Sequence, residues 1–234
     1  MTERLSIVIP TYNEADNIQR LVRYLLESNP SLEVIVSDGG SADGTQQLAR
    51  AAGAKVIESP KKGRASQMNA GAAEAVGSIL YFLHADTLPP PGFQDAILES
   101  CTSESGAGCF RLQFDDDHWF LRANAWLTRF DIDSIRFGDQ SLFIRRGLFE
   151  QLSGFQEDLL LMEDQEIIRR IRKCTGFRIL PKSVITSSRK YQENGRYRLQ
   201  LVFFVIWLLY YLGIPQQQLV RIYNRLIRKS KLRN

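Results

Sequence analysis

His84 and Asp86 directly follow an apolar run at residues 79–83. The run is typical of a strand buried on both faces, and its polar end then lies at the carboxyl edge of a parallel sheet, where open α/β sheets bind ligands. On extended backbone the two side chains point to the same side. They suit a divalent cation, Mn²⁺ or Mg²⁺, that also holds phosphate oxygens. Alternatively, Asp86 caps a turn into the prolines at 89–91.

Glu163 and Asp164 form an acidic pair later in the chain. They are predicted to open a helix that runs to about Cys174, where the helix dipole alone favours carboxylates. The functional interpretation is a general base that deprotonates a hydroxyl attacking an electrophilic carbon. Arg189 and Lys190 lie in a predicted polar loop at 187–195. That loop either folds over a diphosphate or is a basic flank of the apolar segment after it.

Other polar residues suit a nucleotide. Asp38 ends a predicted strand before two glycines, so it could bind a base or ribose with the ligand close to the backbone, or form an ordinary turn. Glu14 could assist from the first strand's loop or cap a helix. Cations and helix N–H groups at the third strand end suit a ribose phosphate, with a solvated loop as the alternative. The residues there are Lys62, Arg64 and Gln67.

The first ninety residues alternate between predicted strands and helices, which indicates a parallel sheet with right-handed crossovers. No Gly-x-Gly-x-x-Gly follows the first strand, and no Walker lysine loop is present. Polar residues instead gather after four strands, at 11–14, 38–45, 61–64 and 84–87. Parallel topology should bring all four groups to one edge of the sheet.

Predicted elements continue with a strand at 106–114, a helix within 118–130, and short strands at 177–180 and 184–186. Residues 199–214 are almost wholly apolar but fall short of the roughly 20 residues that cross a bilayer. An interfacial helix with aromatic anchors, a helix buried against the domain, and a homodimer contact all remain open.

The composition is that of an ordinary globular protein, with 44% hydrophobic and 24% charged residues and a net charge of +4. The basic excess at 221–233 resembles a lipid-headgroup patch or a solvated tail more than a DNA-reading face, so no nucleic-acid partner is expected. Three cysteines without metal-ligand spacing indicate a reducing compartment, and the N-terminus lacks a signal-peptide pattern. The predicted location is cytoplasmic, with peripheral binding to the inner membrane face left open.

Together these segments resemble the family 2 glycosyltransferases of the GT-A fold, over about residues 5–190. Individually the motifs are weak, but their order and spacing are specific. The matching segments are 10–14 (PTYNE), 37–45 (SDGGSADGT), 63–71 (GRASQMNAG), 83–87 (LHADT), 138–146 (GDQSLFIRR), 154–155 (GF) and 163–170 (EDQEIIRR). The polar segment and aromatic apolar helix that follow resemble the family's compact bacterial branch.

The resemblance implies a Rossmann-like α/β fold with a mixed, mostly parallel sheet flanked by helices. Residues 1–190 would form the GT-A domain, and residues 191–234 a C-terminal apolar helical extension. It also implies sugar transfer from a UDP- or GDP-linked donor to a hydroxyl or carboxyl acceptor, with a divalent cation and usually with inversion. The acceptor is expected to be lipid-like because of the apolar segment.

Carried over by position, the resemblance assigns the base to Asp164, with Glu163 beside it, and the metal to Asp86. The family usually has an acidic residue where this chain has His84, which would bind a cation with less negative charge. Acceptor or sugar contacts fall on Gly138, Asp139 and Gln140. Donor contacts fall on Thr11, Asn13, Glu14, Asp38, Gly39, Lys62, Arg64, Gln67, Ala85 and Arg189.

Two other classes of function remain as alternatives. A nucleotidyltransferase would also use a parallel sheet and metal-binding carboxylates, but it should carry a glycine-rich basic loop after the first strand, which residues 11–14 are not. A non-catalytic nucleotide-sugar binder would not need both Asp86 and Asp164.

Overall fold

The computed structural model describes residues 3–101, 105–131 and 141–228. They form one eight-stranded sheet in the order β3-β2-β1-β4-β7-β6-β8-β5, with helices packed against it. The strands are β1 (Leu5–Thr11), β2 (Glu33–Asp38), β3 (Lys55–Glu58), β4 (Ile79–Phe82), β5 (Thr87–Leu88), β6 (Ala107–Phe114), β7 (Leu142–Arg145) and β8 (Phe177–Thr186). The helices are α1 (Ala15–Ser28), α2 (Thr45–Ala51), α3 (Arg64–Glu74), α4 (Phe93–Ser100), α5 (Trp119–Leu127), α6 (Arg146–Gln151), α7 (Glu163–Cys174), α8 (Arg189–Asn194), α9 (Arg196–Tyr211) and α10 (Gln216–Leu226).

β1 lies at the centre of the parallel half of the sheet. All seven of its residues are buried, and it pairs in parallel with both β2 and β4. Ile7 and Ile9 join the apolar cluster on one face, while Val8 joins the cluster on the other. A strand covered by helices on both faces needs apolar residues at every position, which explains the continuous run in the sequence.

β7 joins the parallel half to the rest of the sheet, because it runs antiparallel to both β4 and β6. Beyond it, β6 and β8 are parallel, and the two-residue β5 pairs antiparallel with β8. The predicted mixed, mostly parallel α/β sheet is therefore confirmed.

One strand replaces the two that were predicted at 177–180 and 184–186. β8 runs through both, with a register shift opposite Phe110 and Arg111. The partners of these two residues are Leu180 and Ser183, so Pro181 and Lys182 bulge out of the ladder. Proline cannot donate a ladder hydrogen bond and is tolerated at such a bulge, where it does not end the strand.

The predicted polar loop at 187–195 is also corrected, because most of it is the short helix α8. Gly195, with φ of 83°, separates α8 from α9. α9 begins at Arg196, three residues before the apolar segment, and α10 covers the first part of the basic end, within the predicted helical extension. α8 is polar and only 6 residues long, too short to show an apolar period, so its sequence does not reveal it.

α9 and α10 pack against the same core as the parallel strands and α1. Leu199, Val202 and Ile206 of α9 and Leu219 and Tyr223 of α10 belong to one apolar cluster with Ile7, Ile9 and the buried face of α1. The interpretation of 199–214 as a helix against its own domain is thus confirmed for one face of α9. None of the described helices combines the length and hydrophobicity needed to cross a bilayer.

Candidate active site

A cavity of about 840 Å³ opens at the carboxyl ends of the parallel strands. The four polar strand ends meet there, as the parallel topology predicted, and the N-terminus of α7 closes one side. The predicted site residues that line the cavity are Thr11, Asn13, Glu14, Gly39, Lys62, Arg64, Gln67, His84, Ala85, Asp86, Glu163, Asp164 and Arg189. Gly138, Asp139 and Gln140 lie outside the described residues.

Hydrogen bonds tie the loop after β1 to the loop after β2. Asn13 N donates to Ser41 Oγ over 2.8 Å, and its own side-chain oxygen accepts from Ala42 N over 3.0 Å. Glu14 N donates to Thr45 Oγ1 over 2.8 Å. Asn13 has the left-handed φ of 53°, which a short polar side chain tolerates better than most. The two loops therefore form one cross-linked rim of the cavity.

Asp38 is fully buried and does not line the cavity. Its carboxylate accepts hydrogen bonds from Thr11 Oγ1, the backbone N–H groups of Gly40 and Ser41, Ser41 Oγ and Gln46 Nε2, at 2.6–3.0 Å. Burial alone would raise the pKa of Asp38, but these hydrogen bonds outweigh it and lower the pKa. The geometry gives Asp38 a positioning role in the rim, and its direct contact with a nucleoside stays a prediction.

Gln67 and Gly39 fit one another. A Cβ on Gly39 would lie 2.5 Å from Gln67 Nε2, so the missing side chain makes room for this amide. The amide donates to the carbonyl oxygens of Thr11 and, over 3.4 Å, Ser37. Close approach of a ligand was the predicted reason for glycine here. In the structure it is Gln67 that occupies the space.

Glu163 is 1% exposed, and neither of its carboxylate oxygens accepts a hydrogen bond from a described residue. Arg64 Nε lies 3.0 Å from its Oε1. Burial raises the pKa of Glu163 to about 7; the charges of Arg64 and His84 oppose this rise, while that of Asp164 adds to it. A carboxyl group thus stands in the cavity wall with unused acceptor capacity.

Asp164 is the more accessible member of the pair, and it opens α7 on the cavity side. The residue before the pair, Met162, lines the cavity with a left-handed φ of 70°. Such a conformation is unfavourable for a residue with a long side chain, by roughly 1–2 kcal/mol. Backbone strain of this kind concentrates at functional sites, where it fixes the direction of neighbouring side chains.

The side of the cavity formed by α8, α9 and α10 was not predicted beyond Arg189 and Lys190. We call it the helical wall: Lys190, Tyr191, Phe203, Ile206 and Tyr223. Lys190 Nζ donates to the hydroxyl of Tyr223 and lies 5.4 Å from the ring centroid of Phe203. The remaining polar side, made by residues after β1 to β4, is the strand-end wall. Arg189 bridges the two walls, since its Nη2 is 3.9 Å from Glu14 Oε2.

The sequence of residues 6–179 matches the model of the glycosyl transferase family 2. The chain belongs to this family. The match includes all four polar strand ends, with His84 and Asp86, and the acidic pair Glu163 and Asp164, but not the helical wall.

Relatives of this family 2 chain include the succinoglycan biosynthesis protein ExoA of Rhizobium meliloti, 25% identical over 74% of the chain and 59% of ExoA. A dolichol-phosphate mannosyltransferase of Pyrococcus furiosus is 32% identical over 44% of the chain and 31% of the relative. The chain thus matches only part of each relative's length. The mannosyltransferase PcManGT from Pyrobaculum calidifontis, solved with GDP-Man and Mn²⁺, is 18% identical. It superposes with a TM-score of 0.73 over 97% of this chain and 74% of PcManGT, and shows the GT-A fold.

The cavity of this family 2 chain is lined by side chains that suit a divalent cation bound together with a diphosphate. Within the described ranges, no cluster of three His, Cys, Asp or Glu side chains could hold a metal alone. Mg²⁺ in nucleotide sites, however, takes only one or two carboxylates and completes its shell with phosphate oxygens and water. Asp86 and His84 offer that partial set, and the carboxylate of Glu163, paired with Arg64, lines the same cavity.

Proposed function

We propose that the chain is a nucleotide-sugar glycosyltransferase that moves a sugar from a UDP- or GDP-linked donor to a hydroxyl or carboxyl acceptor, with inversion at the anomeric carbon. The observation that carries the proposal is that Asp86 and Asp164 share one cavity. Asp86 and Asp164 are 78 positions apart in sequence, yet both line one cavity at the carboxyl ends of the strands. Family membership supports the reaction class.

The donor lies along the strand-end wall. Lys62, Arg64 and Arg189 supply positive charge for the phosphates, and Arg189 and Lys62 are exposed enough to move onto a ligand. The backbone rim tied to Asp38 presents Thr11, Asn13 and Glu14 to the nucleoside. Asp86, with His84, would hold Mn²⁺ or Mg²⁺ against the diphosphate. When bound, the cation supplies Lewis-acid stabilisation to the departing nucleoside diphosphate.

Asp164 acts as the general base. Its carboxylate takes the proton of the acceptor hydroxyl, the hydroxyl oxygen forms the new bond to the anomeric carbon, and the bond from that carbon to the diphosphate oxygen breaks. Glu163 lies beside it, and burial raises the pKa of Glu163 to about 7. A proton on Glu163 would remove the repulsion between two adjacent anions.

The acceptor approaches along the helical wall and is lipid-like. Apolar side chains of α9 and the loop before α7, including Phe203, Ile206, Leu160 and Leu161, make this side of the cavity suitable for hydrocarbon. The dolichol-phosphate relative supports a lipid-linked acceptor. The location follows as cytoplasmic, with peripheral attachment to the inner membrane face.

A thermal-shift screen of UDP- and GDP-sugars with and without Mn²⁺ tests this function. We expect one nucleotide class to raise the melting temperature of the full chain, and Mn²⁺ to increase the shift. Asp86→Ala should remove the Mn²⁺-dependent part, while Asp117→Ala, which changes an exposed carboxylate outside the cavity, should not. No shift with any nucleotide-sugar would refute the proposal, and a shift with nucleoside triphosphates instead would favour a nucleotidyltransferase.

A further inference from the structure

α9 is apolar on all sides, although only one side is covered. Its inner face packs into the core through Leu199, Val202 and Ile206. Its opposite face stays in contact with solvent, with Leu201 62% and Phe204 53% exposed. Exposed residues of this face are Tyr197, Leu201, Phe204, Leu208, Tyr211 and Leu212. A contiguous apolar strip of this kind marks an interaction surface, whereas isolated exposed apolar residues are ordinary.

α5 extends this surface from a distant part of the sequence. Trp119, at the start of α5, is 65% exposed, and its ring centroid lies 6.3 Å from that of Tyr197. Phe120 packs against the same tyrosine at 4.7 Å. We call Trp119 together with the exposed face of α9 the apolar platform. Its two aromatic anchors come from segments 78 positions apart, so only the fold creates it.

A row of arginines runs along the neighbouring helix. α10 packs on α9 and turns Leu219 and Tyr223 towards the core. Arg221 and Arg225 are exposed and four positions apart, which places them together on one side of α10, and Arg228 is exposed just after the helix ends. No acidic residue follows Glu193 in the sequence. The two neighbouring helices therefore combine exposed hydrocarbon and aromatic rings with positive charge.

We propose that the apolar platform and its arginine row bind the surface of an anionic phospholipid bilayer. Trp and Tyr side chains favour the headgroup region, aliphatic side chains gain from entering the acyl boundary, and arginines are attracted to anionic lipid. A second copy of the chain suits this surface less well. The exposed residues of α9 and α10 include no carboxylate that could meet the partner's arginines.

The orientation on the membrane deepens the proposed function and, in this respect, rests on it. Phe203 and Ile206 line the cavity from the inner side of α9, while Leu201, Phe204 and Leu208 lie on its outer side. One helix diameter, about 10 Å, thus separates the cavity from the bilayer surface. A lipid-linked acceptor could then keep most of its hydrocarbon in the membrane, while the hydrocarbon next to its head group lies against the helical wall.

Vesicle sedimentation of the full chain, without donor or acceptor, tests the platform. We expect binding to vesicles of phosphatidylcholine and phosphatidylglycerol, roughly 3:1, and weaker binding to phosphatidylcholine alone. In the double variant Phe204→Glu with Leu208→Glu, binding to the anionic vesicles should be weaker by a factor of about ten or more. Val76→Glu is the matched control, because Val76 is also 62% exposed but precedes β4, at the opposite edge of the sheet from the cavity. It should bind like the wild type.

The arginine row has its own test, the double variant Arg221→Gln with Arg225→Gln. It should lower binding to the anionic vesicles and reduce the dependence of binding on salt. Failure of the wild type to sediment with anionic vesicles, or equal binding by the Phe204→Glu/Leu208→Glu variant, would overturn the proposal. So would a wild-type dimer that this variant converts to monomers, since the platform would then be a subunit contact.

Nucleotide-sugar binding, measured by thermal shift on the same variants, separates the two proposals. Vesicle binding without any response to nucleotide-sugars would support membrane binding by the platform and refute the proposed transferase function. A response to nucleotide-sugars without vesicle binding would refute membrane binding by the platform alone. The platform variants should keep the wild-type response to donor, which also shows that they are folded.

Discussion

The strand-end wall and the helical wall of the cavity are built by different physical means. In the strand-end wall, the residues come directly after paired strands, and hydrogen bonds such as those of Asp38 and Asn13 cross-link the loops. In the helical wall, Phe203, Ile206 and Tyr223 are held by apolar packing of α9 and α10 on the core. The first wall is thus fixed by backbone pairing, and the second by side-chain packing.

Because of this difference, we expect the two walls to bind different substrates. The strand-end wall has polar groups, buried or cross-linked, that suit a donor whose nucleotide and diphosphate must be held in one geometry. The helical wall is more apolar, with the ammonium group of Lys190 next to the rings of Phe203 and Tyr223. Changes in the first wall should therefore affect chemistry, and changes in the second should affect stability and acceptor use.

Asp164→Asn should have the largest effect on transfer. The amide cannot accept the acceptor's proton, so kcat should fall by about 10²–10⁴, the range typical of general-base catalysis. Donor binding, measured by thermal shift, should stay near the wild-type value because the strand-end wall is intact. Wild-type turnover in this variant would rule out Asp164 as the base, and loss of donor binding would contradict the assignment of the donor to the strand-end wall.

A pair of substitutions on α9 tests how the helical wall is held. Leu199→Ala removes a fully buried side chain and should lower the free energy of unfolding by about 3 kcal/mol. Leu201→Ala, two positions later on the exposed face, should change it by less than about 0.5 kcal/mol. Urea denaturation measures both. Equal losses would mean that both faces of α9 are covered in solution.

Glu163→Gln should change the pH dependence of stability. Burial raises the pKa of Glu163 from 4.5 to about 7, so the folded protein binds more protons than the unfolded chain between these values. The wild type should therefore lose stability as pH rises from 4.5 to 7, by up to about 1.4 kcal/mol per pH unit from this group. The variant should lack that slope in urea denaturation without divalent cation.

The difference between the stability–pH curves of the wild type and the variant reports on Glu163, because Arg64, Asp164 and His84 are present beside position 163 in both proteins. Parallel curves would contradict the raised pKa. They would also indicate that water or Arg64 satisfies this carboxylate better than its buried position implies.

Tyr223→Phe should have a smaller effect on stability than Leu199→Ala. The change removes the hydroxyl that accepts a hydrogen bond from Lys190 but keeps the ring that lies 5.2 Å from its ammonium. We expect a loss of about 1 kcal/mol in unfolding free energy and no change in donor binding. A loss of donor binding would show that the helical wall holds the donor too, contrary to the division between the walls.

Much of the strand-end wall could be predicted. Each buried run in β1, β2 and β4 is marked by consecutive apolar residues, and the polar residues after it must emerge at the same edge of a parallel sheet. What could not be predicted is the use of these residues. Asp38 and Gln67 have the chemistry of ligand contacts, but their partners are backbone and side-chain groups of the rim.

The sequence by itself determined the family, the α/β class, and the positions of Asp86 and of the Glu163 and Asp164 pair, since these depend on local patterns along the chain. It also showed that residues 199–214 form an apolar segment, but α9 is apolar all round, and no periodicity distinguishes its faces. Only tertiary packing decided that Phe203 and Ile206 line a cavity while Leu201 and Phe204 remain exposed. Burial of a helix face depends on which distant residues pack against it, and that is a property of the fold.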